Sequence, residues 1–415
     1  MKPSVWDRRR IFTVVFFTLL SLFALTRLEP FYRQAFSGFA WDFAINRTAA
    51  HGLLAEVSPY DRAALHQLAI AQIPDQNSEK LFNGRFTSFV GLPSTAMFHL
   101  PFTAMSFDSS VLWYRVSALL AMLLSVFLVG CAVHKTQRAA AWLTGLLCLL
   151  LWHAVSFSLR LGQVDAWVLL SLATTIFALS RKQWAWAGVA LSFAVILKIS
   201  PVWLLLYCVL KKQWRVLGGF SIAAALFLAL ILPTHRSDFY QFFATVLPSL
   251  GDSPIHPQNQ SLAAALARLS SADSNLLSFA VGVGWWKFVG VVFAAVLLLL
   301  RCVCERGNQS ITLAGSGVTV LCALIAGPLT WDHYLVWSII PVMLLAARIQ
   351  SWQYVFLLLI LLPLYFAVPY PKPDEVAAHA VWRVLTMAQV MSITGVAVWL
   401  TALSRVDTVI TEITE

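Results

Sequence analysis

The chain has 415 residues, 59% apolar and 12% charged, with a mean hydropathy of +0.76. A soluble protein carries roughly a quarter charged residues, so a water-soluble globule and a disordered chain are both excluded. The 29 basic residues outnumber the 19 acidic ones for a net charge of +10. They sit at the ends of apolar runs rather than in an aromatic-laced loop, which points to anionic lipid as partner and away from nucleic acid.

The apolar residues fall in runs of about 15–20, enough for about 10–12 transmembrane or re-entrant helices. The expected fold is all-α, a polytopic membrane protein forming one integral membrane domain over 1–415. No pair of the six cysteines stands in a long loop, and Cys302 and Cys304 form a lone C-x-C. Neither a disulfide framework, a metal nor a cofactor is expected.

Arg8, Arg9 and Arg10 precede the apolar run 11–26, and Arg27 follows it without a small-x-small cleavage site. This reads as an uncleaved first span with a cytoplasmic N-terminus. The first outer loop, 28–88, carries helical periodicity at Trp41, Ile45, Thr48 and Ala49, and again at Leu65, Leu68, Ala69 and Ile73. Short helices of this kind are expected in the membrane interface. Residues 89–106 contain Pro93, His99 and Pro101 and read as a re-entrant element, because a full crossing would invert every later charge cluster.

The clusters Lys135/Arg138, Arg181/Lys182, Lys211/Lys212/Arg215 and Arg301/Arg306, with Arg348 and Arg405, mark the cytoplasmic side. The runs between them pair into outward and return spans. Runs 139–158 and 166–180 enclose an outer turn at Arg160 to Asp165; two shorter runs enclose Lys198 to Pro201. Run 216–233 leads to a second large outer loop, 234–283, and 284–300 returns. Runs 311–327 and 335–347 flank Trp331-Asp332-His333-Tyr334, and a last pair flanks 369–375. Every unusual polar cluster then falls on one side.

Asp42 reads either as a solvated loop acid or as a general base at the water–lipid boundary. Lys198 lies between two apolar runs, where a lone ammonium is costly unless paired, and suits an anionic group. Asn259, Gln260 and Arg268 supply amides and a guanidinium suited to hydroxyls and phosphate. His333 can donate to a phosphate or orient a base. The Gly162-Gln163-Val164-Asp165 turn and neighbouring Arg160 complete the candidates. His51, His66, His99, His153 and His379 lack metal-ligand spacing and read as structural. Asn-x-Ser/Thr sequons begin at Asn46, Asn259 and Asn308. No Asp-x-Asp, Walker loop, G-x-S-x-G or H-E-x-x-H occurs, which disfavours a metal-dependent nucleotide-sugar enzyme.

Taken in order, Trp41-Asp42, Gly52, Pro59-Tyr60, Gly162-Gln163, Leu197-Lys198 with Pro201, Asn259-Gln260-Ser261 with Arg268, and Trp331 with His333-Tyr334 resemble glycosyltransferase family 87. These are polyprenol-phosphate-mannose-dependent mannosyltransferases of GT-C architecture. The resemblance covers roughly 35–350 and departs at Asp165, where Asn is expected, and at Asp332. It implies hexose transfer, mannose foremost, from a polyprenyl-phosphate sugar to a hydroxyl of a lipid or glycan acceptor. The reaction would invert the anomeric centre on the outer face of the cytoplasmic (inner) membrane. The family's first-loop acid falls on Asp42 and its late histidine on His333, the catalytic pair. Lys198, Arg268, Asn259, Gln260, Gln163, Asp165 and Arg160 are the expected substrate and phosphate contacts. The alternatives are a GT-C transferase using lipid-linked arabinose, glucose or an aminosugar, a transporter or lipid flippase, and a non-catalytic assembly partner.

Overall fold

The computed structural model describes residues 5–84, 87–270, 281–306, 310–349, 353–365 and 387–402. Within them the chain is helical, without a strand beyond two isolated bridges. The outer turn expected at 369–375, the sequon at Asn308, His379 and Arg405 lie outside the described residues.

The first helix is α1 (Val5–Leu25), followed by α2 (Leu28–Phe36), α3 (Trp41–Leu54) and α4 (Arg62–Gln72). Helices α3 and α4 match the expected loop periodicity, whereas α2 had no signal of its own. Helix α3 is buried in the protein, from Phe43 to Ala50 and at Gly52 and Leu53. The reason is packing: its small residues let α4, α5 (Pro93–Phe98) and α6 (Leu100–Thr103) close around it. At about 1.5 Å per residue, α5 and α6 are far too short to cross a membrane.

Helix α7 (Phe107–Ala132) is a long apolar span. The run expected at 139–158 is two helices, α8 (Arg138–Leu151) and α9 (His153–Leu161), bent by 60°. Then come α10 (Asp165–Ser180), α11 (Trp184–Leu197), α12 (Val202–Leu210) and α13 (Trp214–Gln241). Helix α13 does not end at the expected loop start. It runs past Pro233, kinks at His235, and continues through a π-turn, Phe242–Val246, into α14 (Leu247–Leu250). Pro233 removes one backbone donor but leaves the helix beyond it intact, and Asp238 fixes that extension by accepting from Ser58 Oγ at 2.8 Å.

The remaining helices are α15 (Leu262–Ser270), α16 (Trp286–Cys304), α17 (Leu313–Ala326), α18 (Ile339–Ala346), α19 (Gln353–Tyr365) and α20 (Ala388–Ala402). Three described helices are long and apolar enough to cross a membrane, or five if each bent pair counts as one span; six more apolar helices have 10–17 residues. On α13, Ile222, Leu226 and Leu230 are 65%, 63% and 81% exposed, a face that only lipid can cover favourably.

Two of the basic residues expected to face anionic lipid do not. Glu305 draws Arg301 Nε to 2.6 Å and Lys211 Nζ to 2.8 Å, with Tyr207 Oη donating at 2.7 Å, all buried between α12, α16 and α17. Neutralised charge of this kind can be buried where single charges cannot. This cluster sits at the far end of α12 from Lys198, and α12 itself is about 14 Å long.

Candidate active site

Two chain breaks and one tight approach build the site. Helix α11 ends at Lys198, whose backbone turns extended (φ −157°, ψ 126°) before Pro201 starts α12. The orphan carbonyls this break leaves are taken up by α5: Ser94 Oγ donates to the Ile196 carbonyl at 2.6 Å and Thr95 Oγ1 to that of Leu197 at 2.9 Å. Helix α9 ends at Gly162 in the left-handed region (φ +72°), and the Gly162 and Gln163 amides donate to the Ser158 carbonyl. A Cβ there would stand 2.5 Å from Phe43 Cβ, so glycine lets the α9–α10 turn press against α3. That approach brings Gln163 to Asp42, one residue before Phe43.

These elements enclose a cavity of about 460 Å³. Asp42, Gln163, Lys198 and His333 line it, joined by Asn46, Gln258, Asp332, Tyr334, Trp41 and Trp331. The resemblance's acid, lysine and histidine, separated by 156 and then 135 positions in the chain, thus face one hollow. Asp165 does not line it. It is fully buried beneath, where its Oδ1 accepts from Lys198 Nζ at 2.7 Å. Lys198 Nζ also lies 2.9 Å from the centre of the Tyr334 ring. Asp165 therefore holds the lysine from below and does not face the cavity.

His333 stands between two carboxylates, with Nε2 3.9 Å from Asp165 Oδ2 and Nδ1 3.7 Å from Asp332 Oδ1. Neither ring nitrogen has a hydrogen-bond partner among the described residues. Two unpaired donor or acceptor positions in a buried ring are costly.

Four expected contacts lie elsewhere. Arg268 is fully buried and donates through Nη1 to the carbonyls of Ile255, His256 and Asn259 at 2.9–3.1 Å. Asn259 is equally buried, its Nδ2 donating to Pro254 and Pro328 and its Oδ1 accepting from the Thr330 amide. The Gln260 amide donates to the Thr330 carbonyl at 2.6 Å and its side chain to that of Pro257. Together they form a clasp that ties 254–261 to 328–332 and, with the Asp332 amide donating to the Gln258 carbonyl, presents Gln258 and Asp332 to the cavity. Buried backbone requires such partners, and Arg268, Asn259 and Gln260 serve it without lining the cavity. Arg160 is exposed beside Gly38, outside the cavity lining.

Asp332 and Gln258 are the additions. Asp332 stood out in the sequence only as a departure from the family pattern, and Gln258 only as part of a loop segment.

The sequence model described as "Glycosyltransferase family 87" matches residues 89–328, more than half of the chain. The chain belongs to glycosyltransferase family 87. It is a membrane-embedded glycosyltransferase. The family match contains Gln163, Asp165 and Lys198, while Asp42 and the Trp331–Tyr334 segment lie on either side of it.

Among similar proteins is a polyprenol-phosphate-mannose-dependent alpha-(1-2)-phosphatidylinositol pentamannoside mannosyltransferase of Mycolicibacterium smegmatis. It is 27% identical over 317 residues, 69% of this chain and 73% of that protein. A protein of the same description from Mycobacterium tuberculosis is 26% identical over 318 residues, 69% of this chain and 70% of its own. A phosphatidylinositol mannoside mannosyltransferase, also from M. tuberculosis, is 25% identical over 46% of this chain and 43% of its own. No solved structure matches the chain significantly.

Proposed function

We propose that this family 87 enzyme transfers mannose from a polyprenyl-phosphate mannose to a hydroxyl of a lipid-anchored glycan acceptor, with inversion, at the outer face of the cytoplasmic membrane. The observation that carries the reading is the meeting of Asp42, Lys198 and His333 around one cavity. The relatives' dependence on polyprenol-phosphate mannose supports the donor, and their phosphatidylinositol mannoside substrates support a lipid acceptor.

In this reading Asp42 removes the proton from the acceptor hydroxyl as its oxygen bonds to the anomeric carbon. The carbon–phosphate oxygen bond breaks on the opposite face, and the electron pair leaves on the polyprenyl phosphate. Such a base contributes on the order of 10²–10⁴ in rate. A phosphate ester is a stable anion and needs no proton from the protein. Lys198, held at the cavity by Asp165, and an unpartnered His333 nitrogen compensate the charge on the leaving oxygen. Asp332 and Gln258 offer an acceptor and an amide to sugar hydroxyls.

The test supplies purified protein with a panel of radiolabelled polyprenyl-phosphate sugars and a phosphatidylinositol mannoside. Transfer is expected from the mannosyl donor and lost in Asp42→Asn. Transfer only from arabinosyl, glucosyl or aminosugar donors would replace the sugar in this proposal; full activity of D42N would remove its base. The outer-face placement is checked by labelling single cysteines at exposed Asp75 and Gln183, with exposed Cys304 replaced by serine. The first should react with a membrane-impermeant reagent in intact cells and the second only after lysis.

A further inference from the structure

A second cavity, about 380 Å³, lies apart from the first, between α1, α8 and α19. Its walls are apolar, from Leu20 on α1, Leu147 and Leu151 on α8, and Leu357 and Leu361 on α19. Helices α1 and α19 run parallel along it. One end is shut by aromatic rings, with Tyr354 5.2 Å from Phe17 and 6.2 Å from Phe16. At the other end, Phe23 and Tyr365 stand 6.0 Å apart, and the Arg27 guanidinium lies over the Tyr365 ring at 5.4 Å. From Tyr354 to Tyr365 the slot follows α19 for about 16 Å, at 1.5 Å per residue.

Arg27 makes no ion pair with a described residue. Glu29, the carboxylate nearest in sequence, is held by Arg33 at 2.6 Å. The result is a long, narrow, apolar slot closed at one end and headed by a cation that no described carboxylate pairs with. A void lined by leucine and phenylalanine gains nothing from water, and a guanidinium beside an apolar opening attracts phosphate. Linear hydrocarbon joined to an anionic head is the chemistry that satisfies both ends.

We infer that this slot holds one acyl chain of an anionic bilayer glycerophospholipid, with its phosphate on Arg27. The site is separate from the catalytic cavity but adjoins it through α9. Trp152, which lines the slot, precedes His153; His153 stacks on Phe157 at 5.2 Å, and Phe157 lies 5.9 Å from His333 on the catalytic cavity's wall. A lipid seated here would brace that wall without taking part in transfer.

The test uses the full chain in a lipid-free detergent and measures the thermal midpoint with added phosphatidylglycerol or diacylglycerol of the same acyl chains. Phosphatidylglycerol is expected to raise the midpoint by a few degrees and diacylglycerol by less. Arg27→Gln should make the two lipids equivalent, and Leu147→Trp, which fills the slot, should abolish both shifts. Should L147W fail to fold, phospholipid retained through purification and counted by mass spectrometry decides on the surface variant: R27Q should retain at least one molecule fewer than the native chain. Equal shifts from both lipids on the native protein, or unchanged retention in R27Q, would overturn the site. Displacement of bound phosphatidylglycerol by polyprenyl phosphate, but not by further phospholipid, would assign the slot to the donor's tail and end the proposal.

Discussion

The pairing of Lys198 with Asp165 allows its structural and catalytic contributions to be separated. The Lys198 side chain is 15% exposed and that of Asp165 is fully buried, with Nζ and Oδ1 2.7 Å apart. Lys198→Met removes the cation and strands a buried carboxylate, which costs about 3–5 kcal/mol of stability. It also removes the charged contact proposed for the leaving phosphate, worth about 1.5–3 kcal/mol, or roughly 10- to 150-fold in kcat/KM for the donor. Asp165→Asn added to Lys198→Met leaves two neutral groups of similar volume. The double variant should recover most of the lost stability and none of the lost transfer. The assay pairs thermal unfolding in detergent with initial rates of mannosyl transfer at varied donor concentration. Recovery of transfer in the double variant would show that the lysine serves only to neutralise Asp165. An unshifted melting midpoint in Lys198→Met alone would show that the pair is not the buried, mutually dependent one described.

Two further expectations follow from the same geometry. Gly162→Ala places a Cβ 2.5 Å from Phe43 Cβ at φ +72°, costing about 1–2 kcal/mol in backbone strain alone. Since the clash displaces α3 next to Asp42, lower kcat as well as a lower melting midpoint is expected; normal kinetics would mean that the turn moves independently of the base. Arg268→Gln loosens the clasp on 254–261, so thermal stability should fall while the donor KM stays unchanged; a KM increase without loss of stability would return Arg268 to the phosphate.

Much of this protein was legible from local pattern. Apolar run length fixes helices and a membrane setting, because no other arrangement satisfies backbone hydrogen bonds in hydrocarbon. Leu65, Leu68 and Ala69 announce α4 by spacing alone. A lysine between two apolar runs announces a need for a partner, whereas Asp42 and His333 stand out through the family resemblance. The chain does not reveal which expense is met internally. Lys211 and Arg301 look like surface anchors until Glu305 is seen beside them. Arg268 and Asn259 look like ligands for phosphate and hydroxyl until the carbonyls of 254–261 and 328 take their donors. Asp165 looks like a site residue and becomes the support of one. Sequence determines which groups need partners, since desolvation is a property of the residue and its neighbours in the chain. Only tertiary packing decides who the partner is, because folding brings Glu305 to Lys211 and the Pro328 carbonyl to Asn259.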